Sequence, residues 1–435
     1  MLFRLSLCPS ARQSSRQDTL HPTFRIKPTA AIILAVSVFF GARAQETVRM
    51  SLAGEDASEA RRKANSTIGY YNLKLGLAAL RVSSSLGIEG NDNVNNSATN
   101  AEADVSFRPS VNFQLLWPVT DQNSLNLNIG AGYSFYVQHP HLNQIFLTPG
   151  SELSFDIYAG SFWINLHDRV SITDNAYQDP TVVGTGDYEQ FQNAVGLSTL
   201  WDLNKIVLKA AYDHVNYIAL GSANQNLPNG QSEVFSIGAG YALKPGSMLG
   251  IEAGDSIVQY DETTSNSRYA NANQWNAGVY YESQLSQFLK FKGSAGYTVY
   301  APDSAGSTND YSGYYGQLAI THRLNQFVDY SLSGGRSISF GFFGGTVDLY
   351  SARWQANWHV LRDIGFSTSF SYENGTQFVS SSEKFERYGP GLSLNRAFTT
   401  KLSGSLSYQL YKRNSDLADR SYLLNIVTLT LTYQF

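Results

Sequence analysis

The last fourteen residues of the chain alternate between apolar and polar side chains. A period of two identifies a β-strand whose faces meet different surroundings. An aliphatic face suits lipid and a hydroxylated face suits a wet lumen. Because an unpaired backbone edge cannot lie in lipid, one such strand implies a closed ring of strands; the alternative is an edge strand of a soluble β-domain. The two sets are Val427, Leu429, Leu431 and Tyr433 on one face and Thr428, Thr430, Thr432 and Gln434 on the other.

The same alternation recurs upstream, broken by clusters of Gly, Pro, Asn and Asp. It predicts an all-β fold, a transmembrane antiparallel up-and-down β-barrel of about eighteen strands, with sixteen to eighteen consistent with the pattern. An even number of strands places both termini on the periplasmic side. Short connections are then periplasmic turns and longer ones outer loops, among them 139–148 and 174–187. Three predicted strands that matter below are 364–372, 385–395 and 401–411.

The N-terminus carries an export signal. An apolar run, Ala30 to Phe40, follows Arg25 and Lys27 and precedes an A-x-A motif, which predicts cleavage between Ala44 and Gln45. The run is shorter than the roughly 20 residues that span a bilayer as a helix. We therefore expect a signal peptide with an extended leader at 1–44, a polar periplasmic tail at 45–67 and an outer-membrane barrel at 68–435.

Removal of the leader changes the charge. The mature chain keeps 25 basic and 34 acidic residues, a net charge of −9, and loses Cys8, the one cysteine. Disulfides are therefore excluded from the mature protein. A negative chain is poorly suited to nucleic acid, which binds basic surfaces, so no nucleic-acid partner is expected.

Positions that alternate with the lipid-facing aliphatic side chains face the lumen. These positions include basic and acidic residues in nearly equal numbers. Such charges set selectivity in a pore, or alternatively form ion pairs that stiffen the wall. The predicted lumen-facing residues are Arg108, Arg169, Lys205, Lys209, Asp213, Lys290, Lys292, Arg353, Arg387 and Lys401, with Glu152, Asp156, Glu252, Glu282 and Asp329 as further acidic members.

Catalytic and metal-binding patterns are not found in the sequence. The adjacent pairs His167–Asp168 and Asp213–His214 point to opposite faces of a strand, so neither pair shares a lumen site. No nucleophile-elbow or zinc-protease motif occurs, and two histidines, His139 and His141, are too few for a metal site. We expect neither an enzyme nor a metal or other cofactor.

The C-terminal strand resembles the terminal strand of bacterial outer-membrane barrels, which typically ends in Phe. The resemblance implies that Tyr433 and Phe435 form the signal read by the barrel-assembly machinery. It also implies a place in the outer membrane of a Gram-negative cell, in contact with membrane lipid and lipopolysaccharide.

The opening of the barrel has a second resemblance. Gly87-Ile-Glu-Gly-Asn-Asp-Asn-Val94, followed by Phe107-Arg-Pro-Ser110, is similar to the start of β-barrel porins associated with exopolysaccharide systems, with Gly90 where an aromatic residue is usual. This resemblance implies a porin-like channel for passive diffusion of small hydrophilic solutes or saccharides, with a possible link to surface polysaccharide. The alternative is a structural or adhesive barrel that displays its outer loops without an open pore. The sequence does not determine the oligomeric state.

Overall fold

The structure is a computed structural model that describes residues 71–173, 175–220, 229–261, 271–302, 311–340, 346–378 and 382–435. The predicted leader at 1–44, its cleavage site between Ala44 and Gln45 and the tail at 45–67 lie outside the described residues. The first residues assigned to the barrel, 68–70, also lie outside them. Within the described ranges, no helix has the length and apolar character needed to cross a membrane.

Most of the described chain is antiparallel β-strand, in strands of up to 16 residues. Two short 3-10 helices, Pro140–Leu142 and Ala176–Gln178, lie in loops. The strands are β1 Leu73–Leu75, β2 Ala78–Asn91, β3 Asp104–Pro118, β4 Asn123–Tyr136, β5 Gln144–Leu147, β6 Ser151–Ala159, β7 Phe162–Thr173, β8 Glu189–Asp202, β9 Ile206–Leu220, β10 Gly230–Lys244, β11 Ser247–Tyr260, β12 Ala272–Gln284, β13 Leu289–Pro302, β14 Tyr311–Arg323, β15 Val328–Phe340, β16 Thr346–Leu361, β17 Ile364–Phe378, β18 Glu383–Ala397, β19 Leu402–Ser415 and β20 Tyr422–Gln434.

These strands form one closed sheet. Each strand from β6 onward pairs with the next, and β20 returns to pair with β2, from Ser83 opposite Gln434 to Asn91 opposite Ile426. The three-residue β1 extends β2 only at its start, while β5 and β6 together occupy one place beside β4. The described part of the chain therefore builds a wall of eighteen strand positions, and the predicted fold class is confirmed.

The wall has two chemically different faces. On β20 the side chains of Val427, Leu429, Leu431 and Tyr433 are all more than 40% exposed, whereas Gln434 on the other face is buried. We call the face with exposed aliphatic side chains the outer face and the opposite one the inner face. Because hydrocarbon cannot hydrogen-bond to backbone, a closed sheet with this division is suited to a bilayer.

The two ends of the barrel differ in their connections. At one end the turns are short, and Gly160 and Gly246 adopt positive φ angles of 64° and 75° that a residue with a side chain adopts at a cost. At the other end the connections are longer, as between β7 and β8. In barrels of this kind the short turns are periplasmic, so we name the end with longer loops the outer end.

The structure departs from the sequence prediction mainly at the outer end. Strand β17 continues to Phe378, six residues beyond its predicted end, and β19 continues to Ser415. The outward side chains there include Asn374 and Thr376, so the aliphatic signal stops although the backbone ladder continues. The predicted loop at 139–148 likewise contains β5, which completes the pairing of β4.

Adjacent residues on β20 test the assignment of faces. We expect Leu429→Lys to lower the free energy of unfolding by about 2–4 kcal/mol, since a charge is placed against hydrocarbon. Thr430→Lys, one residue away on the inner face, should change it by less than about 1 kcal/mol. Denaturant unfolding of barrels refolded into lipid vesicles measures both, and equal midpoints for the two variants would contradict the assignment.

Candidate functional site: the inner wall and the strap

The loop between β7 and β8 folds against the inner wall. We call residues 175–188 the strap. Most of its residues are buried, and Thr181 and Val182 have no exposed surface. It packs against Ala219 of β9 and also contacts β3 and β18 to β20; β18 is seven or eight positions around the wall from β7 and β8. Because the strap reaches inner-face residues on those strands, it crosses the interior of the barrel at the outer end.

Two buried arginines hold the strap to the far wall. The Nη1 of Arg387 on β18 donates to the carbonyl oxygen of Tyr177 at 2.6 Å, and the Nε of Arg413 on β19 donates to that of Pro180 at 2.9 Å. Both bonds have a charged donor, and each contributes about 1.5–3 kcal/mol. Side chains of the wall thus bind the strap through its backbone.

Carboxylates neutralise these arginines. Glu373 on β17 lies 2.6 Å from Arg387 Nη2, and Glu383 on β18 lies 2.7 Å from Arg413 Nη2. Arg420, from the loop before β20, shares Glu383 at 3.0 Å. A buried charge without such a partner is costly, so each arginine is stable here only as part of a pair.

Apolar packing completes the attachment of the strap. Val183 packs against Tyr422, Leu424 and Ile426 of β20, and the ring of Tyr177 lies 5.7 Å from that of Tyr411. These side chains are inner-face residues in a part of the wall that the strap covers. The inner wall beneath the strap therefore presents apolar side chains beside the buried ion pairs.

One strap carboxyl has an altered acidity. Burial raises the pKa of Asp179, against the lowering effect of hydrogen bonds that Thr181 donates to it through its backbone nitrogen at 2.8 Å and its hydroxyl at 2.7 Å. The same two bonds close a tight turn just before the apolar Val182 and Val183. Asp179 thus shapes the strap internally.

Eight of the ten predicted lumen residues lie within strands on the inner face, and two lie elsewhere. Lys205 and Lys401 are exposed and belong to short turns, because β9 begins only at Ile206 and β19 at Leu402. A turn residue lies at the rim of the wall. The eight inner-face residues are Arg108, Arg169, Lys209, Asp213, Lys290, Lys292, Arg353 and Arg387.

Several of these charges are engaged with other groups. Arg108 donates to Asn175 of the strap at 3.2 Å, and its guanidinium lies 4.5 Å from the ring of Phe146. Lys292 lies 3.3 Å from Glu282, and Arg353 donates to Glu373 at 3.4 Å. Pairing of this kind agrees with an ion-pair lattice in the wall and reduces the charge that faces a solute.

A buried polar network crosses the inner wall from β6 to β9. Asp156 accepts a hydrogen bond from Asn165 at 3.0 Å, so the amide oxygen of Asn165 faces Nδ1 of His167 at 2.9 Å. The other ring nitrogen, Nε2, lies 2.6 Å from Asp213. Both ring nitrogens of His167 therefore lie within hydrogen-bond distance of a side-chain oxygen. The adjacent pairs in the sequence do not meet, but His167 and Asp213 do.

A glycine makes this contact possible. Gly196 on β8 lies between His167 on β7 and Asp213 on β9. A methyl group there would overlap an Asp213 carboxylate oxygen and the carbonyl of Tyr212, and would come within 2.8 Å of His167 Nε2. The strand between the two partners must therefore lack a side chain.

Glycines also accommodate aromatic rings along the inner wall. Tyr280 lies over Gly250, and Tyr315 lies over Gly278 and Gly296; a methyl group on any of these glycines would overlap the ring. Both tyrosines are at most 5% exposed although they are on the inner face. Rings that lie flat against the wall leave the lumen wider than rings that project into it.

Much of the remaining inner wall carries neutral hydroxyl groups. From β15 round to β2, apart from β16, many of these positions below the level of the strap are serine or threonine. Hydroxyls both donate and accept hydrogen bonds, so they suit a hydrated passage. The set comprises Ser331, Ser333, Ser367, Ser369, Ser371, Ser393, Ser403, Ser405, Ser407, Thr428, Thr430, Thr432, Ser83 and Ser85.

Sequence reasoning missed the residues that hold the strap. Glu383 and Arg413 fell in predicted outer loops and Glu373 fell just beyond the predicted end of its strand, because the outward side chains at that height are no longer aliphatic. The residues that directly follow Tyr372 and Tyr411 are polar or glycine on both faces of the strand, so no alternation of apolar and polar side chains signals the extended strands. No local signal shows that 175–188 folds inward, since the two arginines that bind its backbone are more than 200 residues away.

The other polar clusters have structural roles. His139 lies between Asp104 at 2.9 Å and Glu102 at 3.0 Å, and Asp104 also accepts from the backbone of the loop at 137–139. Asp92 accepts two hydrogen bonds from Asn425, at 2.6 Å each. Within the described ranges, no three His, Cys, Asp or Glu side chains are arranged to hold a metal ion.

Together these features define the class of protein. A closed ring of eighteen positions, an exposed aliphatic outer face and a polar inner face make the chain a transmembrane β-barrel of the bacterial outer membrane.

Solved structures similar to this chain are outer-membrane proteins and porins. OpdK of Pseudomonas aeruginosa, crystallised with vanillate, has a TM-score of 0.47 at 10% identity and covers 82% of this chain and 98% of its own. A BenF-like porin from Pseudomonas fluorescens Pf-5 has a TM-score of 0.49 at 8% identity and covers 83% and 100%. OccAB3 of Acinetobacter baumannii has a TM-score of 0.46 at 12% identity, again covering 83% and 100%. No protein-family model and no curated protein matches the sequence.

The spacing role of Gly196 leads to a prediction with a matched control. We expect Gly196→Ala to lower the free energy of unfolding by about 1–3 kcal/mol, because the methyl group separates the buried partners His167 and Asp213. Gly238→Ala, also on the inner face, meets only ordinary contacts at 3.5 and 3.9 Å and should cost under about 1 kcal/mol. Denaturant midpoints of the two variants in the same lipid provide the comparison; similar losses would show that the contact is unimportant.

A second prediction concerns the attachment of the strap. In Arg387→Met the strap loses a charged donor, so amide exchange at 176–183 should accelerate at least about tenfold. Arg396→Met, which removes an exposed outer-face arginine from the same strand, should leave that exchange unchanged. Hydrogen exchange read by mass spectrometry distinguishes them. An unchanged rate in a folded Arg387→Met barrel would show that packing alone holds the strap.

Proposed function

We propose that this barrel is a channel for the passive diffusion of small hydrophilic solutes, with saccharides as the favoured class. The observation that carries the proposal is the run of serine and threonine hydroxyls along the inner wall from β15 to β2. A wall of this kind exchanges hydrogen bonds with a hydrated, uncharged solute at little cost.

The pairing of charges supports a neutral solute. Arg387, Arg413 and Lys292 each have a carboxylate within 3.3 Å. Paired charges produce a weaker field in the lumen than isolated ones, and strong selection by charge needs rings of unpaired charge. The solute is then selected by size and hydrogen bonding.

A link to surface polysaccharide is part of the proposal. It is supported by the sequence resemblance at Gly87 to Val94 and Phe107 to Ser110. Diffusion of short saccharides through the barrel is chemically consistent with a role beside a surface polysaccharide.

The C-terminus is proposed to be read during insertion. Tyr433 and Phe435 are 41% and 51% exposed, and their rings lie 5.3 Å apart at 86°. Both are therefore accessible to the assembly machinery and afterwards to membrane lipid.

A second candidate function rests on the strap. Because 175–188 crosses the interior and is buried there, the outer end is narrower than the wall alone would make it. A barrel closed at that end would serve as a structural or adhesive platform for the outer loops, as the alternative reading of the sequence holds.

Single-channel recording separates the two functions. We expect the refolded mature chain to give stable open steps in a planar bilayer, with transient blocks when maltotriose is added. Empty bilayers with detergent alone are the control. A difference in gel mobility between heated and unheated samples shows that the barrel is folded. A folded barrel that gives no conductance would refute the channel and favour the platform.

A further inference from the structure

The outer face of β7 to β10 carries a group of polar side chains among the aliphatic ones. On β7 the outward Asp168 follows Leu166, which is 46% exposed, and precedes Val170. On β3, by contrast, all seven outward residues from Val105 to Trp117 are apolar. We call the group the polar patch; its members are Asp168 on β7, Asn193 on β8, His214 and Asn216 on β9, and Glu233 on β10.

Part of the polar patch lies at the depth of the hydrocarbon. The rings of Phe162 and Trp201 are 6.3 Å apart at the periplasmic ends of β7 and β8, where an aromatic girdle marks the membrane interface. A tilted strand rises about 2.5 Å per residue along the barrel axis. Asp168 comes six residues after Phe162 and Asn193 eight before Trp201, so they lie about 15 and 20 Å above the girdle, within an apolar band about 25 Å tall.

The side chains of the polar patch satisfy one another only in part. Asn193 donates to Oδ1 of Asp168 at 2.5 Å, and Nδ1 of His214 lies 2.8 Å from Oε1 of Glu233. Among the residues that the structure describes, Oδ2 of Asp168, Nε2 of His214 and the amide of Asn216 have no hydrogen-bond partner. Acyl chains cannot supply one, so these groups favour a polar partner.

A row of amides crosses the same part of the outer face. Asn193 is directly opposite Asn216, Asn216 is opposite Gln231, and Gln231 is opposite Gln259 on β11. Gln231 donates to Gln259 at 3.1 Å. Each amide both donates and accepts hydrogen bonds. A surface of this kind is complementary to a second copy of itself.

The charges of the polar patch disfavour a lipid headgroup as its partner. None of the outward residues of β7 to β10 within the strand bounds from Phe162 to Leu243 is a lysine or an arginine. A lipid phosphate would therefore meet the carboxylates of Asp168 and Glu233 without a cation to bind it. A second barrel brings both donors and acceptors at the same depth.

We propose that the polar patch is the contact surface between two copies of this chain. Copies in one membrane are inserted in the same direction, so a two-fold axis must run along the membrane normal. Each side chain then meets the partner's side chains at its own depth, and one patch is used by both copies. An axis between β8 and β9 brings Asn193 against the partner's Asn216. The proposal does not depend on whether the barrel conducts.

The test measures association in lipid. Energy transfer between donor-labelled and acceptor-labelled barrels in vesicles, at a series of protein-to-lipid ratios, gives the dissociation constant of the pair. Asn216→Leu removes an amide that has no partner within the described chain. Thr368→Leu, an outward polar-to-leucine change on β17 across the ring, is its control.

Crosslinking in native outer membranes provides a second, independent measurement. Because the mature chain has no cysteine of its own, single cysteines can be placed at two exposed outward positions near the outer end. Ile218→Cys on β9 lies beside the polar patch, and Leu423→Cys on β20 lies seven positions around the wall from β9. A short bis-maleimide then joins two copies only where their cysteines are close.

We expect the unaltered barrel to form dimers and Asn216→Leu to raise their dissociation constant at least about tenfold, because the two-fold axis doubles each lost hydrogen bond. Thr368→Leu should leave the constant unchanged. Ile218→Cys should give a crosslinked dimer and Leu423→Cys should not. Gel mobility with and without heating verifies folding, and crosslinking decides the matter if Asn216→Leu does not fold.

Four results would overturn the proposal. They are monomers at every protein-to-lipid ratio, a trimer, an unchanged dissociation constant in folded Asn216→Leu, and equal crosslinking through the two cysteines.

Discussion

The structure depends on one constraint, the requirement that every backbone amide and carbonyl in a bilayer has a hydrogen-bond partner. A sheet in lipid meets it only by closing, and here closure occurs between β2 and β20, along Ser83 to Asn91. Closure fixes the parity of every strand, because each side chain then faces either lipid or the interior. The division between aliphatic and hydroxylated faces follows from that geometry.

The interior of the barrel then has to hold charged side chains and the strap without becoming completely filled by them. Buried arginines are tolerated because Glu373 and Glu383 neutralise them, and the same arginines bind the backbone of the strap. Glycines serve a complementary purpose: Gly250 lets the ring of Tyr280 lie flat, and Gly196 lets His167 reach Asp213 across a strand. The width of the lumen therefore depends on these glycine positions as well as on the number of strands.

These features suggest a division of tasks along the barrel axis. The strap and the apolar side chains that it packs against narrow the outer end. Hydroxyl groups line the inner wall between the strap and the periplasmic end. Arg169 lies on β7, four residues before the strand ends at Thr173, with Glu152 at 3.6 Å and Asp213 at 3.9 Å.

The sequence by itself determined the fold class, the strand number and the inner face of most charged positions, because the period of two is a local property that lipid and water impose on each strand. The sequence prediction placed Lys205 and Lys401 in strands, whereas the structure has turns at both positions. The alternation of apolar and polar side chains is weak where a strand meets a turn, so it does not fix the boundary. Only the tertiary structure decided that 175–188 folds inward, that Arg387 and Arg413 bind it, and that His167 meets Asp213. Each of these contacts joins residues far apart in the chain, and their geometry exists only once the ring has closed.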